Sequence, residues 1–231
     1  MSSTLGPAID RLYEAFGRLP RPASVRYCEC CFDDAEEKAL LAPVPLRELS
    51  AGALHPYAMN VMMTVGAAAD LRYFLPRLLE VNLAGGDGLV DPEWLLIAVR
   101  RAEWQAWPAA EREALRAFLR TLWSAVLAGH ELDADAVLCG IGHVEDDLTP
   151  YLLEWQAALT STPAAEALAE LGRENGRLTN PFWEERPEQR AQVEAWLAGD
   201  ALRRDVRDAL YAAGPDDDLR EALTELDLAL S

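Results

Sequence analysis

The chain has 231 residues, 51% of them hydrophobic, a formal net charge of −18 and a pI near 4.5. That is enough for one large domain or two small ones with a sizeable core. So acidic a chain repels phosphate backbones, which argues against nucleic-acid binding, and its acidic surface suits either solubility alone or a basic protein partner. No apolar run approaches the roughly 20 residues a membrane helix needs. The opening MSSTLGPAIDRLYEAFGRLP has no basic segment followed by an apolar core, so the expectation is a cytoplasmic protein without a membrane span. Four cysteines, three of them packed into CECC, do not resemble a secreted disulfide framework.

Taken in order, Pro7 to Leu19 reads as an amphipathic helix with Ile9, Leu12, Tyr13, Phe16 and Leu19 at helical spacing. LPRPAS ends it, and Tyr27 to Phe32 forms a tight turn or short extended piece. Asp33-Asp34 then caps a short helix through about Leu41. Ser50 is the expected N-cap of a helix through about Val65, and Gly66 separates it from the next. AGGDG at 84–88 is a loop, but no strand precedes it and no Lys-Ser/Thr follows, so it is weak as a phosphate cradle. Asp91-Pro92 starts a helix carrying Trp94, Leu95 and Val99. Trp107-Pro108 opens the cleanest apolar face, Leu115, Phe118, Leu119, Leu122, Trp123, Val126 and Leu127, closed by Gly129. Helical patterns follow at about 133–143, 147–159, 163–174, 187–198, 200–213 and 216–230.

No stretch alternates like a buried strand. The reading is an all-α array or short superhelix of about ten antiparallel helices. It forms a single domain over 1–231, with a subdomain boundary near 130, where Ala and Asp/Glu become more frequent. No fixed repeat period is visible.

The segment from Tyr57 to Asn82 is the organising stretch. Leu71, Phe74, Leu75, Leu78 and Val81 share one broad helical face. Asp70, Tyr73, Arg77 and Glu80 form a narrow stripe beside it, spaced so that Arg77 reaches Tyr73 and Glu80. Pro76 lies inside the pattern and predicts a kink, or a helix that ends near Leu75 and restarts. The stripe reads either as a partner-binding feature or as internal ion pairs on a core helix.

CECC, DLRYFLPRLLE and the following WQAWP resemble a family of uncharacterised bacterial proteins with a Cys-Pro-Cys-Cys turn, a Thr-Trp-Gly element and a helix Asp-Phe-Arg-His-Phe-Leu-Pro-Arg-Leu-Leu-Glu. Matching positions are Cys28, Cys30, Cys31, Thr64, Gly66, Asp70, Arg72, Phe74 to Leu79 and Glu80. Glu29, Val65, Leu71 and Tyr73 depart from it. The resemblance covers roughly residues 25–125 and implies no particular activity.

For chemistry, Cys28 and Cys31 have CxxC spacing, and Cys139 and His143 stand one helical turn apart. Together they make a conceivable Cys3His zinc site, against which stands the ordinary use of cysteine as a small core residue. A redox reading of the same CxxC lacks the βαβ context that thioredoxin-like motifs need. His55, His130 and His143 belong to no nucleophile motif, although Glu145, Asp146 and Asp147 follow His143. Most of the seven tryptophans should be core, whereas Trp183 in NPFWEERPE is either a partner anchor or folded onto the core. The resulting expectation is a non-enzymatic protein-interaction module with an acidic surface. The alternative is a zinc-binding or thiol-dependent enzyme or sensor built around CECC.

Overall fold

The computed structural model describes residues 5–83, 89–173, 178–214 and 217–230. Among them are twelve α-helices and three short 3-10 turns. Extended pairing is limited to two isolated bridges, Tyr27 with Val65 and Val61 with Val65. The fold is all-α. The glycine loop at 84–88 lies outside the described residues.

The chain divides into two compact units, 1–121 and 122–231. The first unit holds α1 (Leu5–Phe16), α2 (Asp34–Leu40), α3 (Ala51–Asn60), α4 (Ala68–Leu83), α5 (Pro92–Arg101) and the start of α6 (Ala109–Leu127). Helix α4 is its centre: α1, α3 and α5 all pack against it, and α2 packs on α3. Leu71, Phe74, Leu75, Leu78 and Leu79 are buried there. The helix neither ends at Leu75 nor restarts but runs on through Pro76. A proline inside a helix costs about 3 kcal/mol, and five buried side chains at roughly 1.5–3 kcal/mol each outweigh it.

Local caps set most boundaries. Asp33 accepts from the Ala35 and Glu36 amides while Glu36 reaches back to the Asp33 amide, a reciprocal cap on α2. Ser50 caps α3 through the Ala53 amide. That helix stops at Asn60, five residues short of the expected end.

The second unit continues α6 and adds α7 (Ala134–Val144), α8 (Thr149–Ala157), α9 (Thr162–Arg173), α10 (Pro187–Leu197), α11 (Asp200–Ala212) and α12 (Asp217–Ala229). Gly129 closes α6 at φ 92°, with its own amide bonding the Val126 carbonyl and the His130 amide bonding Ala125. Helix α12 packs on α9 and α11, and α10 on α7 and α8. Trp123 and Trp155 meet edge-on at 5.2 Å in this core.

Candidate thiol site and the residues around it

The CECC loop is a tight turn in which the Cys31 and Phe32 amides both donate to the Cys28 carbonyl, at 2.9 and 3.1 Å. Phe32 is buried and anchors it, and Tyr27 packs edge-on against Phe32. A second segment, Asn60 to Gly66, backs the loop. The Cys28 amide donates to the Thr64 carbonyl at 2.9 Å, and the Gly66 amide to the Arg26 carbonyl at 2.7 Å. Asn60 holds this segment in shape. Its carbonyl accepts from the Met63, Thr64 and Val65 amides, and its side-chain amide donates to the carbonyls of Pro56 and Cys31. Gly66 has φ 76°, and a Cβ there would stand 2.9 Å from the Tyr57 ring, so the turn requires glycine.

This frame brings the sulfurs of Cys28, Cys30 and Cys31 together, all within 4.8 Å of one another. Cys28 and Cys30 are exposed and Cys31 is half-buried. The Cys28 Sγ lies 2.9 Å from that of Cys30, which lies 3.4 Å from that of Cys31. The hydrogen bond from Cys30 lowers the Cys28 thiol, and the same bond, with one to Cys31, raises Cys30 to about 11. The contact between the two thus favours the thiolate at Cys28 and the protonated thiol at Cys30. Soft thiolates converging at this spacing suit a thiophilic ion.

Among the described residues, no other set of three His, Cys, Asp or Glu donors converges in this way. Cys30, absent from the expected ligand set, is in the group, and Cys139 and His143 are not. Both of those lie buried on α7 in the second unit. The His143 Nε2 is 3.1 Å from the Phe182 carbonyl, which ties α7 to the NPFWEE segment.

Trp183 is fully buried, so it is not a surface anchor. Its indole N–H donates to Asp135 at 2.7 Å, and its ring lies where a Cβ on Gly142 would stand 3.0 Å away. The segment therefore folds onto α7 because Gly142 leaves room and Asp135 supplies the acceptor.

The α4 stripe is engaged in internal contacts. Asp70 accepts from the Ala67 amide at the start of the helix. The Tyr73 hydroxyl accepts from Arg21 at 3.2 Å. Arg77 donates to Glu80 at 2.7 Å and to the Leu49 carbonyl at 2.9 Å, with both charged side chains under a fifth exposed. Tyr13 donates to the same Glu80 at 2.6 Å, and Arg47 lies over the Tyr13 ring. A partner reaching this stripe would compete with those bonds. A groove of about 290 Å³ beside it is lined by residues that include Tyr13, Arg21, Tyr73 and Pro76.

Sequence reasoning missed Asn60 and the Arg72–Glu111 pair, whose partners are distant in the chain. The one local signal was the polar residue closing α3 just before Met62-Met63-Thr64. No protein-family model, curated protein or solved structure matches the chain. No described helix is long and apolar enough to cross a membrane.

Proposed function

We propose that the chain is a non-enzymatic binding protein whose CECC loop takes up a thiophilic metal ion at an accessible position. The observation that carries this is the convergence of three free thiols within 4.8 Å on a loop that leaves two of them exposed. Thiolates bind Zn(II) and Cu(I) strongly, and an exposed cluster lets an ion enter and leave by ligand exchange. The bonds from Cys28 to Thr64 and from Gly66 to Arg26 also join the two elements on which the resemblance to the Cys-x-Cys-Cys proteins rests.

The test is elemental analysis of the reduced full chain after exposure to Zn(II) or Cu(I) and exhaustive dialysis. One ion per chain is expected, and none in Cys28→Ser/Cys30→Ser/Cys31→Ser. A chain that retains no ion overturns the reading.

A second reading, docking of a basic protein, is favoured by where the charge lies. Residues 122–231 carry 23 acidic and 8 basic side chains, a net −15, against 16 and 13 in residues 1–121. Cross-links from a bound partner should map to 122–231 and weaken with salt. Cross-links confined to 1–121 would count against it.

A further inference from the structure

We infer that the ion held at the CECC loop is of the Cu(I) class, with methionine thioethers from the neighbouring segment as additional donors; this rests on the reading of CECC as a metal site. Sulfur is concentrated here. Three of the four cysteines, Cys28, Cys30 and Cys31, lie in one loop, and three of the four methionines, Met59, Met62 and Met63, lie within five residues of one another. The two segments are fastened together at points that bracket Met62 and Met63, with Met59 directly before the first of them. The Asn60 side chain donates to the Cys31 carbonyl at 3.3 Å, and the Thr64 carbonyl accepts from the Cys28 amide at 2.9 Å.

Met59 and Met63 are among the few large hydrophobic side chains left in solvent, at 46% and 55% exposure. Exposure of an apolar side chain is ordinary in itself, but here it leaves the thioethers of the segment fastened to the CECC loop reachable as donors. Between them Met62 sits at φ 60°, a left-handed backbone that side-chain-bearing residues seldom adopt, fixed by its amide bond to the Val65 carbonyl. Strain of this kind concentrates where a loop must present particular side chains.

The donor set separates two ions. Zn(II) takes thiolate, imidazole and carboxylate, and its structural sites close with four of them. The cluster here offers three thiols, with no fourth His, Cys, Asp or Glu in the group among the described residues. Cu(I) is softer and accepts thioether beside thiolate. Neutral sulfur also adds no negative charge to a loop that already carries Glu29, Asp33 and Asp34. The thiols that become ligands release their protons to solvent as the ion binds, and no electron is transferred.

The test titrates the reduced full chain anaerobically with Cu(I) buffered by a chromophoric chelator, with a parallel Zn(II) titration. One Cu(I) per chain is expected. Met59→Leu/Met62→Leu/Met63→Leu, a near-isosteric change, should weaken Cu(I) at least ten-fold and leave Zn(II) within two-fold. Met63→Leu alone, at a solvent-exposed side chain, should weaken Cu(I) several-fold and decides the matter if the triple variant fails to fold by circular dichroism. Cu(I) affinity unchanged in the folded variants overturns the thioether inference and leaves the metal site standing. A chain that binds neither ion overturns both.

Discussion

Arg72 and Glu111 meet through two hydrogen bonds, at 2.8 and 2.6 Å, with the Glu111 side chain 6% exposed and Arg72 22%. Removing one partner of a fully buried pair costs about 3–5 kcal/mol, because the other charge stays buried alone. Arg72 is partly solvated, so Arg72→Ala should cost about 2–3 kcal/mol in denaturant unfolding. A loss under about 0.5 kcal/mol would show that water replaces the guanidinium without penalty. Asp135 gives a prediction in pH. Burial raises its carboxyl above the usual range, against the bonds from Trp183 and Asn180 that pull it down. The folded state therefore binds this proton more tightly than the unfolded chain. That stability is fully present below the unfolded value of about 3.9 and is lost as pH rises through the raised folded value. Asp135→Asn cannot ionise, so its stability relative to wild type should improve as pH climbs from about 4 toward neutral. A difference independent of pH would mean that the carboxylate ionises as freely in the fold as outside it.

At the scale of the element, α6 carries the apolar face most evident in the sequence, and Leu119 near its middle is fully buried. Leu119→Ala should cost about 2–5 kcal/mol through lost burial and the cavity left behind, read as a shift in denaturant midpoint with unchanged slope. A midpoint that does not move would mean that the neighbours collapse into the space. This helix, like α2 and α3, could be read in advance because its signals are local: a periodic face, Asp33 and Ser50 as caps, Gly129 as terminator. The Arg77–Glu80 pairing was legible for the same reason, as the two stand three residues apart. The continuous path through Pro76 was not, because it depends on how much of α4 its neighbours bury. Nor was the inward turn of Trp183, which needs Asp135 on α7, 48 residues earlier. The thiol site was half legible. CECC announces itself, but Cys30 joins the group, and Asn60 backs it, only because a turn 29 residues on closes against the loop.

For the whole molecule the governing quantity is where the charge lies. Residues 122–231 hold a net −15 of the chain's −18. Packing of α12 on α9 also sets Glu166, Asp218, Glu221 and Glu225 around a single groove. Like charges so placed destabilise the compact state, since unfolding lets them separate. Screening shortens the range of that repulsion from about 30 Å at 0.01 M salt to about 8 Å at 0.15 M. Added sodium chloride should therefore raise the melting temperature by several degrees, given that about 1 kcal/mol moves a domain of this size by roughly 2–4 °C. Two controls separate screening from a bound cation. Choline chloride at equal ionic strength should act as sodium chloride does, because screening does not depend on the cation's size. Glu221→Gln should raise the melting temperature in low salt and shrink the salt effect, because one repelling charge is gone. A melting temperature that is flat or falls with salt would mean that ion pairs such as Arg207–Asp227 on α11 and α12 already offset the excess. Salt would then be weakening attractions and not relieving repulsions, and the concentrated charge would have to be explained by what the surface binds.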